Sequence, residues 1–167
     1  MKKIVVTTFC AMYILFSNAQ TNPAGLDVHT KAPEFSAKDQ HGKVISLNDE
    51  LKKGKVVLIF YRGQWCPYCN KELKSIEDSL SLITSKGATV LAVTPELPEN
   101  ILKTIDKTRA SYSILFDEGL QIMKTYHVAF GLDPSVVKKY KDNGLDFAQE
   151  NGSNGANLPA LAVYLID

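Results

Sequence analysis

Residues 56–61 (VVLIFY) and 88–93 (ATVLAV) are apolar at nearly every position and rich in β-branched and aromatic side chains. A strand with one wet face would alternate, so runs of this kind read as strands buried on both faces. Between them Pro67 suits the first turn of a helix, where its missing N–H is no loss and its φ is already helical. Leu73, Ile76, Leu80 and Ile83 then recur at intervals of three and four, giving one apolar stripe that Gly87 closes. Strand, helix and strand in this order make a β-α-β unit, with a right-handed crossover and parallel strands. The class is therefore α/β.

The rest of the chain extends this unit. Residues 35–38 and 43–46, separated by Asp39-Gln40-His41-Gly42, read as a short hairpin with Gly42 in the turn. A second amphipathic helix is expected after Pro98, using Ile101, Leu102 and Ile105. Residues 113–116 read as a short strand, 120–126 as a short helix and 161–166 (LAVYLI) as a last apolar strand. The connection at 127–158 is poorly patterned, with one helix expected near 135–140. So long an insertion is usually functional or mobile.

Ahead of the domain, Lys2 and Lys3 precede an apolar run at 4–16, and Ser17-Asn18-Ala19 supplies the small residues that a signal peptidase needs. Residues 1–19 are expected to be a signal peptide cleaved after Ala19, making the protein periplasmic or secreted. Residues 20–31 would follow as a flexible lead-in, and 32–167 as the domain. The apolar run is shorter than the roughly 20 residues that cross a bilayer, so the membrane enters only through this segment, if it stays uncleaved. Cys10 lies inside the run and not at its end, against a lipoprotein signal. Cleavage would remove Lys2 and Lys3 and leave 17 basic residues against 18 acidic ones. No basic stripe then points to nucleic acid or anionic lipid.

Cleavage would also remove Cys10, leaving Cys66 and Cys69 as the only thiols. One close pair cannot staple a fold. A cysteine at a strand-to-helix junction meets the unpaired N–H groups and the positive end of the helix dipole, which favour thiolate over thiol. Cys66 precedes Pro67 and takes this position, with Cys69 one turn further in and within disulfide reach. Arg62 stands four residues earlier and can add positive charge, while Trp65 and Tyr68 are expected to shield the pair. Two other readings remain open. A CxxC is half of a zinc site, but no second half exists, and His29, His41 and His127 stand alone. Inert core thiols are the other, against which Arg62, Gln64, Asn70 and Lys71 argue by their polarity.

The segment Phe60-Tyr61-Arg62-Gly63-Gln64-Trp65-Cys66-Pro67-Tyr68-Cys69 resembles the active-site strand and loop of thioredoxin-fold proteins. It is most similar to the peroxiredoxin-like branch of the alkyl hydroperoxide reductase and thiol-specific antioxidant (AhpC/TSA) family. The similarity extends to Ala32-Pro33-Glu34-Phe35, to Tyr112-Ser113-Ile114-Leu115-Phe116-Asp117 and to Tyr164-Leu165-Ile166-Asp167. The resemblance implies a three-layer thioredoxin-like fold with a mixed central sheet in the order 113–116, 88–93, 56–61, 161–166, the last strand antiparallel. The family's final edge strand and helix are expected to be missing, which would truncate the domain and leave 161–166 as an uncovered, aggregation-prone edge. Thermal unfolding is expected at low temperature or with low cooperativity. Thioredoxin-fold proteins place a cis-proline before that strand, and typical peroxiredoxins an arginine. Leu161 holds the position here and Pro159 lies two residues earlier; the two are expected to form a substrate-facing loop. A cis bond at a non-proline residue costs ~3 kcal/mol, so Leu161 is expected to be trans.

The resemblance allows two registers. By thioredoxin logic Cys66 is the nucleophile and Cys69 resolves the mixed disulfide. By peroxiredoxin logic Cys69 takes the peroxide-attacking position, although the threonine and proline of that motif are replaced by Cys66 and Arg62. The preferred expectation is an exported thiol-disulfide oxidoreductase or thiol-dependent antioxidant enzyme, with Cys66 attacking a disulfide-containing protein or a peroxide. The alternatives are a thiol peroxidase with Cys69 peroxidatic, and a non-enzymatic redox sensor or truncated binding module. No NAD, flavin, phosphate or metal motif appears, so no cofactor beyond the redox-active disulfide is expected and electrons must come from an external thiol or dithiol reductant. Thr94-Pro95-Glu96 and Asp117-Glu118 stand where they can line the site, but such residues more often serve turns and caps.

Overall fold

The computed structural model describes residues 23–167; the segment expected to be a signal peptide lies outside them. The expected hairpin is present as β1 (Ser36–Lys38) and β2 (Val44–Ser46), paired antiparallel. Gly42 makes its turn at φ 77°, and the Asp39 carboxylate accepts from the His41 and Lys43 amides at 2.9 Å each. Helix α1 (Leu47–Leu51) leads to β3 (Lys55–Phe60). The β-α-β unit follows through α2 (Pro67–Asp78), α3 (Leu80–Ser85) and β4 (Ala88–Thr94), with β3 and β4 parallel.

One continuous helix was expected here, but it breaks at Ser79, whose backbone (φ −104°, ψ 2°) leaves helical geometry. The stripe survives the break. Leu73 is fully buried, and Ile76, Leu80 and Ile83 pack against the same core. Helix α4 (Pro98–Thr108) corrects a second detail, because Leu102 is 52% exposed. Its inner face is Ile101, Thr104, Ile105 and Thr108, and the Thr108 hydroxyl is satisfied by donating to the Thr104 carbonyl at 2.8 Å.

Strand β5 (Ser113–Phe116) and helix α5 (Gln121–Thr125) complete the regular part. The poorly patterned connection is filled with short elements: β6 (Ala129–Gly131), α6 (Pro134–Asp142), α7 (Phe147–Asn151) and β7 (Asn157–Pro159). Strands β6 and β7 pair antiparallel as a separate ribbon. Asp133 and Asp146 cap α6 and α7, accepting from the Ser135 and Ala148 amides at 2.8 and 2.9 Å.

The last strand, β8 (Ala162–Ile166), runs antiparallel to β3, so the sheet order is β5-β4-β3-β8, as the resemblance implied. Period-2 alternation sorts the strands onto two cores. Val56, Leu58, Phe60, Leu91, Val93 and Leu115 face one side with Met123 and Tyr126. Ile59, Tyr61, Val90, Ala92 and Ile114 face the other, beneath Leu73 of α2 and Ile101 of α4. Both faces are covered, which gives three layers. Val163 and Leu165 on the edge strand β8 remain exposed.

Candidate active site

Parallel strands β3 and β4 end on the same side of the sheet, and the loops that leave them meet there, where open α/β sheets commonly bind ligands. The loop after β3 delivers Cys66 to the N-cap of α2, a helix of 12 residues with Pro67 in its first turn. Cys66 and Cys69 are joined by a disulfide with their Cα atoms 5.3 Å apart. The Cys69 amide donates to Cys66 Sγ at 3.3 Å. An N–H aimed at a sulfur at the positive end of a helix stabilises negative charge on it, which favours the thiolate once the bond is reduced. Cys66 is 5% exposed and Cys69 0%, so the little access there is belongs to Cys66.

This burial corrects the expectation drawn from polar neighbours. Both sulfurs belong to the apolar cluster with Ile59, Tyr61, Leu73 and Ala92. The polar side chains of 62–65 are drawn aside by the 127–158 connection, which packs over them. The Arg62 guanidinium lies 5.9 Å over the Phe130 ring of β6, and Arg62 Nε is buried without a partner. Trp65 meets Tyr140 of α6 and Phe147 of α7 edge to face, with centroids 5.5 and 5.6 Å apart, and those two rings pack at 5.3 Å. Trp65 is itself packed against the cluster that holds both cysteines. Tyr68, the second residue of α2, is 80% exposed.

Beneath the loop lies a group that sequence reasoning set aside. Glu96, two residues past β4, is fully buried. Its carboxylate accepts from the Gln64 amide, from the Tyr61 hydroxyl at 3.1 Å and from the Thr104 hydroxyl at 3.1 Å. Burial pushes this carboxyl up to about 7; the three hydrogen bonds oppose the rise and the Glu150 charge adds to it. Burial, followed by the Glu96 charge, pushes the Tyr61 phenol well up, so it stays a donor. Gly63 is required for this seat. A Cβ there would lie 2.5 Å from Trp65 Nε1 and 3.0 Å from Glu96 Oε1. The signal for Glu96 was a carboxyl directly after a buried strand, which no local turn pattern distinguishes from a cap.

Asp117 is the capping residue that the sequence suggested. It accepts from the Ile122 and Met123 amides at 2.9 and 2.8 Å, and Glu118 is exposed. Pro159 is buried in β7 opposite Ala129. Leu161 is trans and 44% exposed, one residue before Ala162, which pairs with Phe60 at the end of β3. Leu161 therefore stands at the end of the sheet where β3 ends, and it is open to solvent whereas Pro159 is not. Among the described residues no group of three or more His, Cys, Asp or Glu is placed to hold a metal, and no helix is long and apolar enough to cross a membrane.

Known proteins are similar to this chain. The chain is 34% identical over 96 residues to the chloroplastic peroxiredoxin Q of Gentiana triflora, which covers 58% of this chain but only 44% of that protein's length. It is 27% identical over 128 residues to the thiol-disulfide oxidoreductase ResA of Bacillus thuringiensis, covering 75% of this chain and 73% of that one. The crystal structure of peroxidoxin BcpB from Mycobacterium tuberculosis superposes with a TM-score of 0.65 at 21% identity, over 88% of this chain and 80% of that chain, which supports the shared fold. Residues 28–167 match the model of one family across the hairpin, the sheet and the Cys66–Cys69 loop, and the chain accordingly belongs to the AhpC/TSA family.

Proposed function

We propose that the protein is a thiol-dependent oxidoreductase that cycles between the Cys66–Cys69 dithiol and disulfide. The observation that carries this reading is a closed disulfide at the start of α2, with Cys66 the N-cap and the less buried sulfur. In the reducing direction the Cys66 thiolate attacks one sulfur of a substrate disulfide and expels the other as a thiolate, which takes up a proton. Cys69, deprotonated, then attacks Cys66 Sγ, releases the second substrate thiol and closes the disulfide. With a peroxide the first step transfers one oxygen to Cys66, giving a sulfenic acid and an alcohol or water; attack by Cys69 then releases water. An external thiol or dithiol reductant returns two electrons and two protons. The resemblance to both peroxiredoxins and ResA keeps both substrates in view.

The organisation proposed with this activity is an export signal at 1–19, a lead-in, and a single redox domain acting in the periplasm or outside the cell, on the strength of the Lys2-Lys3, apolar-run and Ser17-Asn18-Ala19 pattern. Leu161, with Pro159 behind it, would contact the substrate from the β8 side. Insulin reduction and hydrogen peroxide consumption, both driven by dithiothreitol, test the activity in wild type, Cys66→Ser and Cys69→Ser. Loss of turnover in Cys66→Ser is expected. Peroxide turnover that survives in Cys66→Ser and is lost in Cys69→Ser would assign the attack to Cys69. Absence of both activities in a wild type that still forms the disulfide would make the protein a non-enzymatic redox module.

A further inference from the structure

Gln64 stands two residues before Cys66, and four different elements hold it. Its amide N–H donates to Glu96 in the loop after β4. Its carbonyl accepts from Asn70 Nδ2 of α2 at 2.8 Å and from Lys107 Nζ of α4 at 3.0 Å. Its side chain donates to Glu150 Oε2 of α7 at 3.0 Å and accepts from Lys107. Of these partners only Glu96 is wholly out of water, and it forms no ion pair with a lysine, arginine or histidine of the described residues. An uncompensated buried carboxylate is costly to stability. A glutamine of the same size would offer one acceptor oxygen and turn amide hydrogens toward either the Gln64 N–H or the two hydroxyls. The carboxylate alone accepts from all three donors without rearrangement.

The geometry points to Glu96 as a positioning residue for Cys66: its carboxyl supports residues 63 and 64 from beneath, so that the reactivity of Cys66 follows the ionisation of Glu96 through that loop. This deepens the dithiol reading above and rests on it. The titratable and charged groups facing Glu96 and its loop are Tyr61 on β3, Lys107 on α4 and Glu150 on α7. With its carboxyl pushed up to about 7 by burial, Glu96 changes charge in the neutral range. Once ionised it sets a negative charge under the loop and raises the cost of a thiolate at Cys66.

The test is the rate at which iodoacetamide alkylates Cys66 in the reduced full chain, followed by peptide mass spectrometry from about pH 5 to about pH 9, the span in which both groups titrate. Wild type should show two inflections, the lower one near neutrality. Glu96→Gln should show only the thiol's own inflection. Thr104→Val removes a hydrogen bond that favours the ionised carboxylate, so the lower inflection should move to higher pH. Circular dichroism checks that each variant is folded, and if Glu96→Gln is not, Thr104→Val decides. Two inflections retained in folded Glu96→Gln, or an unmoved lower inflection in Thr104→Val, would overturn the assignment. Alkylation requires no turnover. A protein inactive on insulin and peroxide that still shows the Glu96-dependent inflection retires the proposed activity and leaves the positioning role standing.

Discussion

At Glu96 the same burial that seats the loop sets a pH dependence on stability. Its carboxyl ionises near 4.5 when solvated and at about 7 in the fold. Below the lower value both states are protonated and the group costs nothing. Between the two the unfolded chain ionises first, so the stability that the protonated group keeps is lost progressively as pH rises through about 7. A shift of this size corresponds to about 3 kcal/mol. Denaturant unfolding at about pH 5 and about pH 8 should show wild type losing roughly that much more than Glu96→Gln. Equal losses in the two proteins would contradict it. The sequence made Cys66 and Cys69 legible because their spacing and the helix start are local. It could not mark Glu96, whose partners Tyr61, Gln64 and Thr104 come from other elements and are brought together only by the sheet.

Among the elements, helices α6 and α7 cover the loop that leads into Cys66. They bring Tyr140 and Phe147 against Trp65, the residue before Cys66, in two edge-to-face contacts. Such pairs contribute about 1 kcal/mol each beyond the area they bury. Trp65 is the chain's single tryptophan, so its fluorescence reports this packing directly. Tyr140→Ala and Phe147→Ala should shift the emission to longer wavelength, the second more because Phe147 is 3% exposed and leaves a true cavity. Unchanged emission in both would mean that the connection does not cover the site. Apart from the helix expected near 135–140, which is α6, this segment was not legible beforehand for a physical reason. Strands of three residues and a helix of five are too short to display a period, and Asp133 and Asp146 announce only where helices begin. The longer β3, α2 and β4 carry enough repeats to be read directly, although the break at Ser79 leaves no mark on the apolar stripe.

Across the whole molecule the two-sided apolar strands dictate three layers, and the parallel order of β3 and β4 places their outgoing loops together. That placement puts Cys66 at a helix start with carboxylate support beneath and an aromatic cover beside it. The antiparallel β8 brings Leu161 to the same end, while its exposed Val163 and Leu165 lie along the sheet edge. On the proposed activity, this architecture makes Cys66 the attacking sulfur and Cys69 the resolving one. Trapping of mixed disulfides distinguishes the two roles: each reduced single-cysteine variant is mixed with a peptide disulfide and the adduct is identified by mass spectrometry. Cys69→Ser should accumulate a stable adduct on Cys66, because nothing remains to resolve it, whereas Cys66→Ser should accumulate none on the buried Cys69. An adduct on Cys69 of Cys66→Ser, with none on Cys66 of Cys69→Ser, would reverse the two roles.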